Sequence, residues 1–267
     1  MLNPEQIASL YPIGGIALYE TSGMVSVLRY SNQPASLSPK KVTKRGKIKR
    51  LSQKSLNRLI YLTQITTVPL RSMLTLTYLC PPADGRKAKA DLKKAISWIK
   101  RRKDNDCDYV WFAEFTRAGS IHFHLLLSCV PTSSDRIDFA LYWLRTTSQG
   151  QGEYCSLRRR KVATVAASIV SSVSHPNTWQ YLRSETGGKR YIAKYAAKPY
   201  QKEVPIWFRD IGRFWGMSAS IKENQESYKI IELTEDELRE ILREKRRSVA
   251  DWDVLPRYLW GMGDLVT

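Results

Sequence analysis

Residues 121–127 read Ile-His-Phe-His-Leu-Leu-Leu and set two of the chain's three histidines, His122 and His124, two positions apart in an apolar run. On an extended strand, residues i and i+2 project from the same face. Both imidazoles then point one way, and Ile121, Phe123 and Leu125 point the other, toward a core. Imidazole is a common ligand of divalent metals near neutral pH, so such a pair can grip a cation. The competing reading is a strand with two half-exposed histidines. Glu114 lies eight residues before His122, on a segment (108–115) that itself reads as a strand, with the turn Arg117-Ala-Gly-Ser120 between them. Hairpin pairing across that turn brings the carboxylate beside the imidazoles. Two histidines and one carboxylate leave coordination positions open, as catalysis at a metal requires. The alternative for Glu114 is a surface carboxylate paired with Arg117.

Two further motifs carry chemistry. In Tyr191-Ile-Ala-Lys194-Tyr195-Ala-Ala-Lys198 the tyrosines repeat at i and i+4, as do the lysines, so each pair lies along one stripe of a helix. A phenol is a weak nucleophile because its pKa is about 10. A nearby cation and a metal-polarised phosphate change that, and tyrosine can then form a covalent intermediate. The plain alternative is an amphipathic helix with ordinary tyrosine packing. Arg213-Phe-Trp215-Gly216 closes a basic, aromatic-rich segment. Arg213 and Trp215 either contact phosphates and stack bases or form a packing turn against a sheet.

The elements that must hold these groups follow from periodicity. Residues 73–79 form a strand candidate halted by Pro81-Pro82, and 52–66 form a short helix. Residues 86–103 form an amphipathic helix with Ala88, Leu92, Ala95, Ile96 and Ile99 on one face. Ser134 is a candidate N-cap for a helix through Leu144. Residues 162–174 read as a strand, 189–198 as a short helix, and 234–247 as a charged helix with its acids first and its bases last. The first 33 residues are turn-rich with β-prone stretches.

The 267 residues carry 43 Lys plus Arg against 25 Asp plus Glu, a net charge of +18. That balance is the footprint of a polyanion's partner. Aromatic interleaving, with no amphipathic anchor, favours nucleic acid over membrane. The run 39–54 is strongly basic and reads as an arm that orders on a phosphate backbone, through Lys40, Lys41, Lys44, Arg45, Lys47, Lys49 and Arg50. No apolar run approaches the roughly 18 residues that cross a bilayer, and no secretory leader is expected. Cys80, Cys107, Cys129 and Cys155 are widely separated and lack a C-x-x-C pair, so they read as free, mostly buried thiols in a reducing cytoplasm.

A Leu74-Thr-Leu-Thr-Tyr78 strand, a His-hydrophobic-His strand and a Tyr-x-x-Lys helix, in that order, resemble the HUH endonucleases. The likeness is to the rolling-circle replication initiators of plasmids and single-stranded DNA phages, and the tandem Tyr-x-x-Lys units resemble their two-tyrosine class. It covers residues 50–216. The resemblance implies an α+β fold, a central antiparallel sheet with flanking helices of the RNA-recognition-motif type. It implies domains at 1–50 (basic extension), 51–220 (endonuclease) and 221–267 (charged helical extension). His122, His124 and Glu114 would hold Mn²⁺ or Mg²⁺ against the scissile phosphate of single-stranded origin DNA. Tyr195 would attack first, leaving a 5′-phosphotyrosine and a free 3′-hydroxyl, and Tyr191 would perform the second transfer. Lys194 and Lys198 would contact phosphate oxygens or the phenolate. No Walker A loop follows residue 220, so a host helicase would unwind the duplex, in the cytoplasm of a bacterial or phage-infected cell. A transposase or mobilisation relaxase with the same chemistry, or a non-catalytic DNA-binding protein, are the other readings. Oligomeric state is left open.

Overall fold

The computed structural model describes residues 14–19, 22, 24–29, 46–78, 81–147, 178–184, 189, 191–192, 203–234, 236–237 and 240. In chain order its elements are β1 (Gly14–Tyr19), β2 (Met24–Arg29), α1 (Gln53–Gln64), β3 (Ser72–Leu76), α2 (Gly85–Arg102), β4 (Tyr109–Phe115), β5 (Ile121–Leu127), α3 (Ser133–Thr147), β6 (Trp179–Tyr181), β7 (Trp215–Met217), α4 (Ala219–Glu223) and β8 (Lys229–Leu233). They fall into two compact units, one of residues 46–224 and one joining residues 1–45 to 225–267.

The larger unit holds a five-stranded sheet in the order β6-β3-β5-β4-β7, antiparallel at every pairing. Its first four strands with α2 and α3 run β-α-β-β-α-β, and the chain's first and third strands of that set lie at the centre. This is the expected α+β architecture, a central antiparallel sheet with flanking helices. β5 is innermost because it is apolar on both faces apart from its histidines. A strand paired on both sides satisfies all its backbone groups while burying both faces.

The period-2 pattern sorts the side chains. Leu74 and Leu76 of β3, Ala113 and Phe115 of β4, and Ile121, Phe123, Leu125 and Leu127 of β5 form one buried cluster with Ala88, Leu92, Ala95 and Ile99 of α2 and Phe139 and Trp143 of α3. Each fully buried Leu, Ile or Phe contributes about 1.5–3 kcal/mol, so this face anchors the sheet. The opposite face carries Met73 and Thr75 of β3, Val110, Phe112 and Glu114 of β4, and His122, His124 and Leu126 of β5, by register. α1 lies on that side. Trp215 of β7 pairs with Phe112 and donates its indole N–H to Ser55 Oγ of α1 at 2.8 Å.

Caps explain where the helices begin. Ser52 accepts from the Ser55 amide to open α1, and Asp84 accepts from the Arg86 amide to open α2. The cap of α3 is Thr132, not Ser134. Its hydroxyl accepts from the Asp135 amide while the Asp135 carboxylate accepts from the Thr132 amide, the reciprocal arrangement of a capping box.

The cysteines require a second correction. Cys107 and Cys129, read as free thiols, are joined in a disulfide. Cys107 lies two residues before the start of β4, and Cys129 two residues after the end of β5. Tyr109 pairs with Leu127, and the Ser128 amide donates to the Asp108 carbonyl, so two residues further out the cysteines face each other. Spacing of 22 in sequence is contact in a hairpin. Cys80, Cys155 and the strand expected at 162–174 lie outside the described residues.

In the smaller unit β1 pairs antiparallel with β2 on one side and β8 on the other. The N-terminal and C-terminal segments, expected as separate extensions, thus contribute strands to one sheet. Thr234 and Glu237 exchange capping hydrogen bonds just after β8, where the charged helix was expected to start.

Candidate active site

The β4–β5 hairpin sets Glu114 directly opposite His122, and Phe112 opposite His124. Gly119 makes the reversal possible. Its φ of +78° is a left-handed conformation that glycine adopts without penalty. A hydrogen-bonded Thr116–Ser120 turn then returns the chain in register.

Around His124 the contacts are specific. Nε2 lies 3.0 Å from Glu114 Oε2, and both side chains are buried. An ionised carboxylate only accepts, so this contact puts the ring proton on Nε2. Nδ1 is then the acceptor, and two hydroxyls approach it: Thr75 Oγ1 at 3.2 Å, from the strand on the other side, and Tyr191 at 3.5 Å. Phe112 stacks on the imidazole at 4.9 Å between ring centroids, and Tyr191 meets it edge-on at 6.0 Å. The ring is therefore fixed from four directions.

Burial, and secondarily the neighbouring His124, lower the pKa of His122, against the opposing pull of Glu114. His122 is consequently neutral at pH 7, the state in which imidazole can bind a metal.

The donor set suits a hard or borderline divalent cation, and Glu114 Oε1 is buried with no hydrogen-bond partner among the described residues. No three His, Cys, Asp or Glu side chains among the described residues already converge as a ready metal cluster. A cation taking both residues would have to replace the Nε2 proton, shifting it to Nδ1.

Tyr191 is half-buried and reaches His124 because its segment is tied down on both sides. Ile192 is fully buried, and Lys189 Nζ donates to the carbonyls of Gln64 and Thr66 at 2.9 and 3.0 Å. Gln64 is the last residue of α1 and Thr66 follows its C-cap, so the ammonium sits at the helix C-terminus, where the dipole favours a cation. Thr75 and Lys189 were not singled out from sequence. Thr75 had a signal, since alternation in Leu74-Thr-Leu places it on the histidine face. Lys189 had none, because its partners are backbone carbonyls.

Of the other candidate residues, Lys47, Lys49, Arg50 and Arg213 are exposed. Trp215 is partly buried and bound to Ser55, the packing alternative of its two readings. Lys194, Tyr195, Lys198, Lys40, Lys41, Lys44 and Arg45 lie outside the described residues. No helix among the described residues is long and apolar enough to cross a membrane.

Comparison with known proteins identifies the family. Residues 71–204, half of the chain, match the family model of the replication-associated protein ORF2. That span runs from β3 through the β4–β5 hairpin and Tyr191. No curated protein and no solved structure matches the chain at a significant level. The chain belongs to the family of the replication-associated protein ORF2.

Proposed function

We propose that this replication-associated protein starts rolling-circle replication by nicking single-stranded origin DNA through tyrosine. The observation that carries the reading is the approach of the Tyr191 hydroxyl to Nδ1 of His124, on a ring whose other nitrogen engages Glu114. The contact sets the phenol beside the side chains that would hold a cation, whose charge would favour the phenolate over the weakly nucleophilic phenol.

In the reaction a tyrosine oxygen attacks the scissile phosphorus and the bond from phosphorus to the 3′-oxygen breaks. The phenolic proton ends on the departing 3′-oxygen. The products are a 5′-phosphotyrosine and a 3′-hydroxyl that primes synthesis. The reverse transfer, from phosphotyrosine to a 3′-hydroxyl, rejoins the strand. Tyr191 and Tyr195, one helical turn apart in the sequence pattern, divide the two transfers between them. Lys194 and Lys198 fall on the adjoining stripe and would neutralise phosphate oxygens.

Mn²⁺ or Mg²⁺ held by Glu114, His122 and His124 would supply a Lewis acid for the phosphoryl oxygens. Thr75 hydrogen-bonds the His124 ring and Phe112 stacks against it, so the two would fix its orientation for a bound cation. The basic run that includes Lys47, Lys49 and Arg50 supplies sequence-independent affinity for the backbone. Membership in a replication family favours initiation over transposition or mobilisation by the same chemistry. A host helicase is the expected partner for duplex unwinding.

The test is incubation with a single-stranded origin oligonucleotide and Mn²⁺. Cleavage that stops with EDTA and leaves protein attached to the 5′ side supports the reading. Tight binding without cleavage at any divalent cation leaves a DNA-binding protein only.

A further inference from the structure

Between Glu203 and Asp210 the chain makes a turn that displays two apolar side chains to solvent. Ile206 is fully exposed and Trp207 is 50% exposed, while the next residue, Phe208, is buried. The turn is not loosely attached. Phe208 donates its amide to the Pro205 carbonyl, and its ring packs edge-on against Phe115, 4.9 Å away and next in sequence to Glu114. Backbone hydrogen bonds anchor the residues on either side, Val204 to Lys49 and Arg209 to Ala83 and Gly85. Ile206 and the exposed half of Trp207 form adjoining apolar surface on a rigid mount, the kind of patch that marks a candidate binding element.

Its position narrows the partner. Trp207 lies over the turn of the β4–β5 hairpin so closely that a Cβ on Gly119 would stand 2.7 Å from its Cζ2 atom. Gly119 is three residues from His122. On the other side, the backbones of Arg50 and Glu203 pair in an antiparallel β-bridge, and the side chains of Lys47, Lys49, Arg50 and Arg209 are all exposed. Glu203 and Asp210 are the acids of this stretch, both exposed, and Asp210 is engaged by Arg86 at 3.1 Å. The surroundings of the tip are thus predominantly basic, as is the chain. An aromatic platform flanked by cations is what single-stranded nucleic acid requires, with bases stacking on the ring and phosphates meeting the lysines and arginines.

We infer that the Ile206–Trp207 turn is a base-stacking element that receives single-stranded DNA beside the hairpin bearing Glu114, His122 and His124. It rests on the reading of the chain as a DNA-nicking protein and adds a contact outside the 71–204 family match. Trp207 carries the stacked base, and Ile206 packs against the neighbouring sugar or base face.

The test is fluorescence anisotropy of the full chain with a labelled single-stranded oligonucleotide in EDTA, so that binding is read without cleavage. Trp207→Ala should weaken binding about tenfold or more, the usual range for losing one stacked base, and Trp207→Phe should recover most of it. Ile137→Ala, an equally exposed apolar residue on α3, is the control and should bind as the parent does. Binding by Trp207→Ala within twofold of the parent overturns the inference. So does a change in sedimentation of Trp207→Ala with DNA affinity intact, which would make the turn a protein contact. Because no cleavage is needed, failure of nicking elsewhere would remove the proposed function and leave this result to be judged alone.

Discussion

Glu114 Oε2 lies 3.0 Å from Nε2 of His124, while Oε1 of the same carboxylate is buried without a hydrogen-bond partner among the described residues. A buried acceptor left unsatisfied costs about 1–3 kcal/mol. A bound cation would both satisfy that oxygen and hold the two strands together. Mn²⁺ at about 100 times its Kd should therefore raise stability by about 2.7 kcal/mol, a rise of several degrees in Tm. His124→Ala should abolish the rise. Scanning calorimetry with and without Mn²⁺ decides it, and an equal Tm response in the variant removes His124 from the cation site.

Lys189 ties the Tyr191 segment to the C-terminal end of α1 and the residues just beyond it, through the carbonyls of Gln64 and Thr66. Removing that tie lets Tyr191 shift relative to His124. Lys189→Ala should lower single-turnover cleavage at least tenfold at saturating DNA, with Kd for DNA nearly unchanged. Lys189→Arg, which can still donate to the carbonyls, should restore most of the rate. A loss confined to Kd would make Lys189 a phosphate contact instead.

The disulfide between Cys107 and Cys129 closes a loop of 22 residues around the hairpin. Loop-closure entropy assigns such a link about 3 kcal/mol. Dithiothreitol should lower the Tm of the parent by several degrees and leave the Cys107→Ser, Cys129→Ser double variant unmoved. A parent insensitive to reductant, with both thiols free by alkylation, would dispose of the bond.

Lys89 on α2 gives a pH dependence. Its Nζ is buried 3.9 Å from the Trp111 ring centroid with no hydrogen-bond partner among the described residues, and burial lowers its pKa to about 7. The folded-state value lies below the ordinary 10.4 or so of an exposed lysine. Between about pH 7 and 10 the unfolded chain therefore binds more protons, and stability rises with pH across that window. Cation–π attraction to Trp111 offsets part of the burial cost. Lys89→Met should be more stable than the parent near pH 7 by about 1 kcal/mol, a few degrees in Tm. The advantage should shrink toward pH 10. Urea denaturation at both pH values measures it, and a constant difference would mean that Lys89 does not titrate in the window.

Much of this site was legible in the chain because its groups lie on one continuous hairpin. Alternation on β5 separates the histidines from the core residues, and the turn at 117–120 fixes Glu114 against His122. The same register makes Cys107 and Cys129 neighbours, but wide spacing in sequence hides a pair that only strand pairing brings together. Relationships carried by distant backbone are silent in side-chain patterns. Nothing in residues 14–19 names 229–233 as a partner strand, although they share a sheet. Likewise, the Lys189 acceptors are carbonyls that any residue could supply. Ile206 and Trp207 read as part of one basic, aromatic segment, and only burial separates the exposed Trp207 from the packed Trp215.

The nucleophile is the claim on which the functional reading stands, and peptide mapping of the protein–DNA adduct tests it most directly. After reaction with a single-stranded origin oligonucleotide and Mn²⁺, nuclease trimming and mass spectrometry should find the 5′-phosphate on Tyr191 or Tyr195. Each single phenylalanine variant should retain an adduct on the other tyrosine, and the Tyr191→Phe, Tyr195→Phe double variant should form none. Cleavage at the parental rate by that double variant would contradict the account.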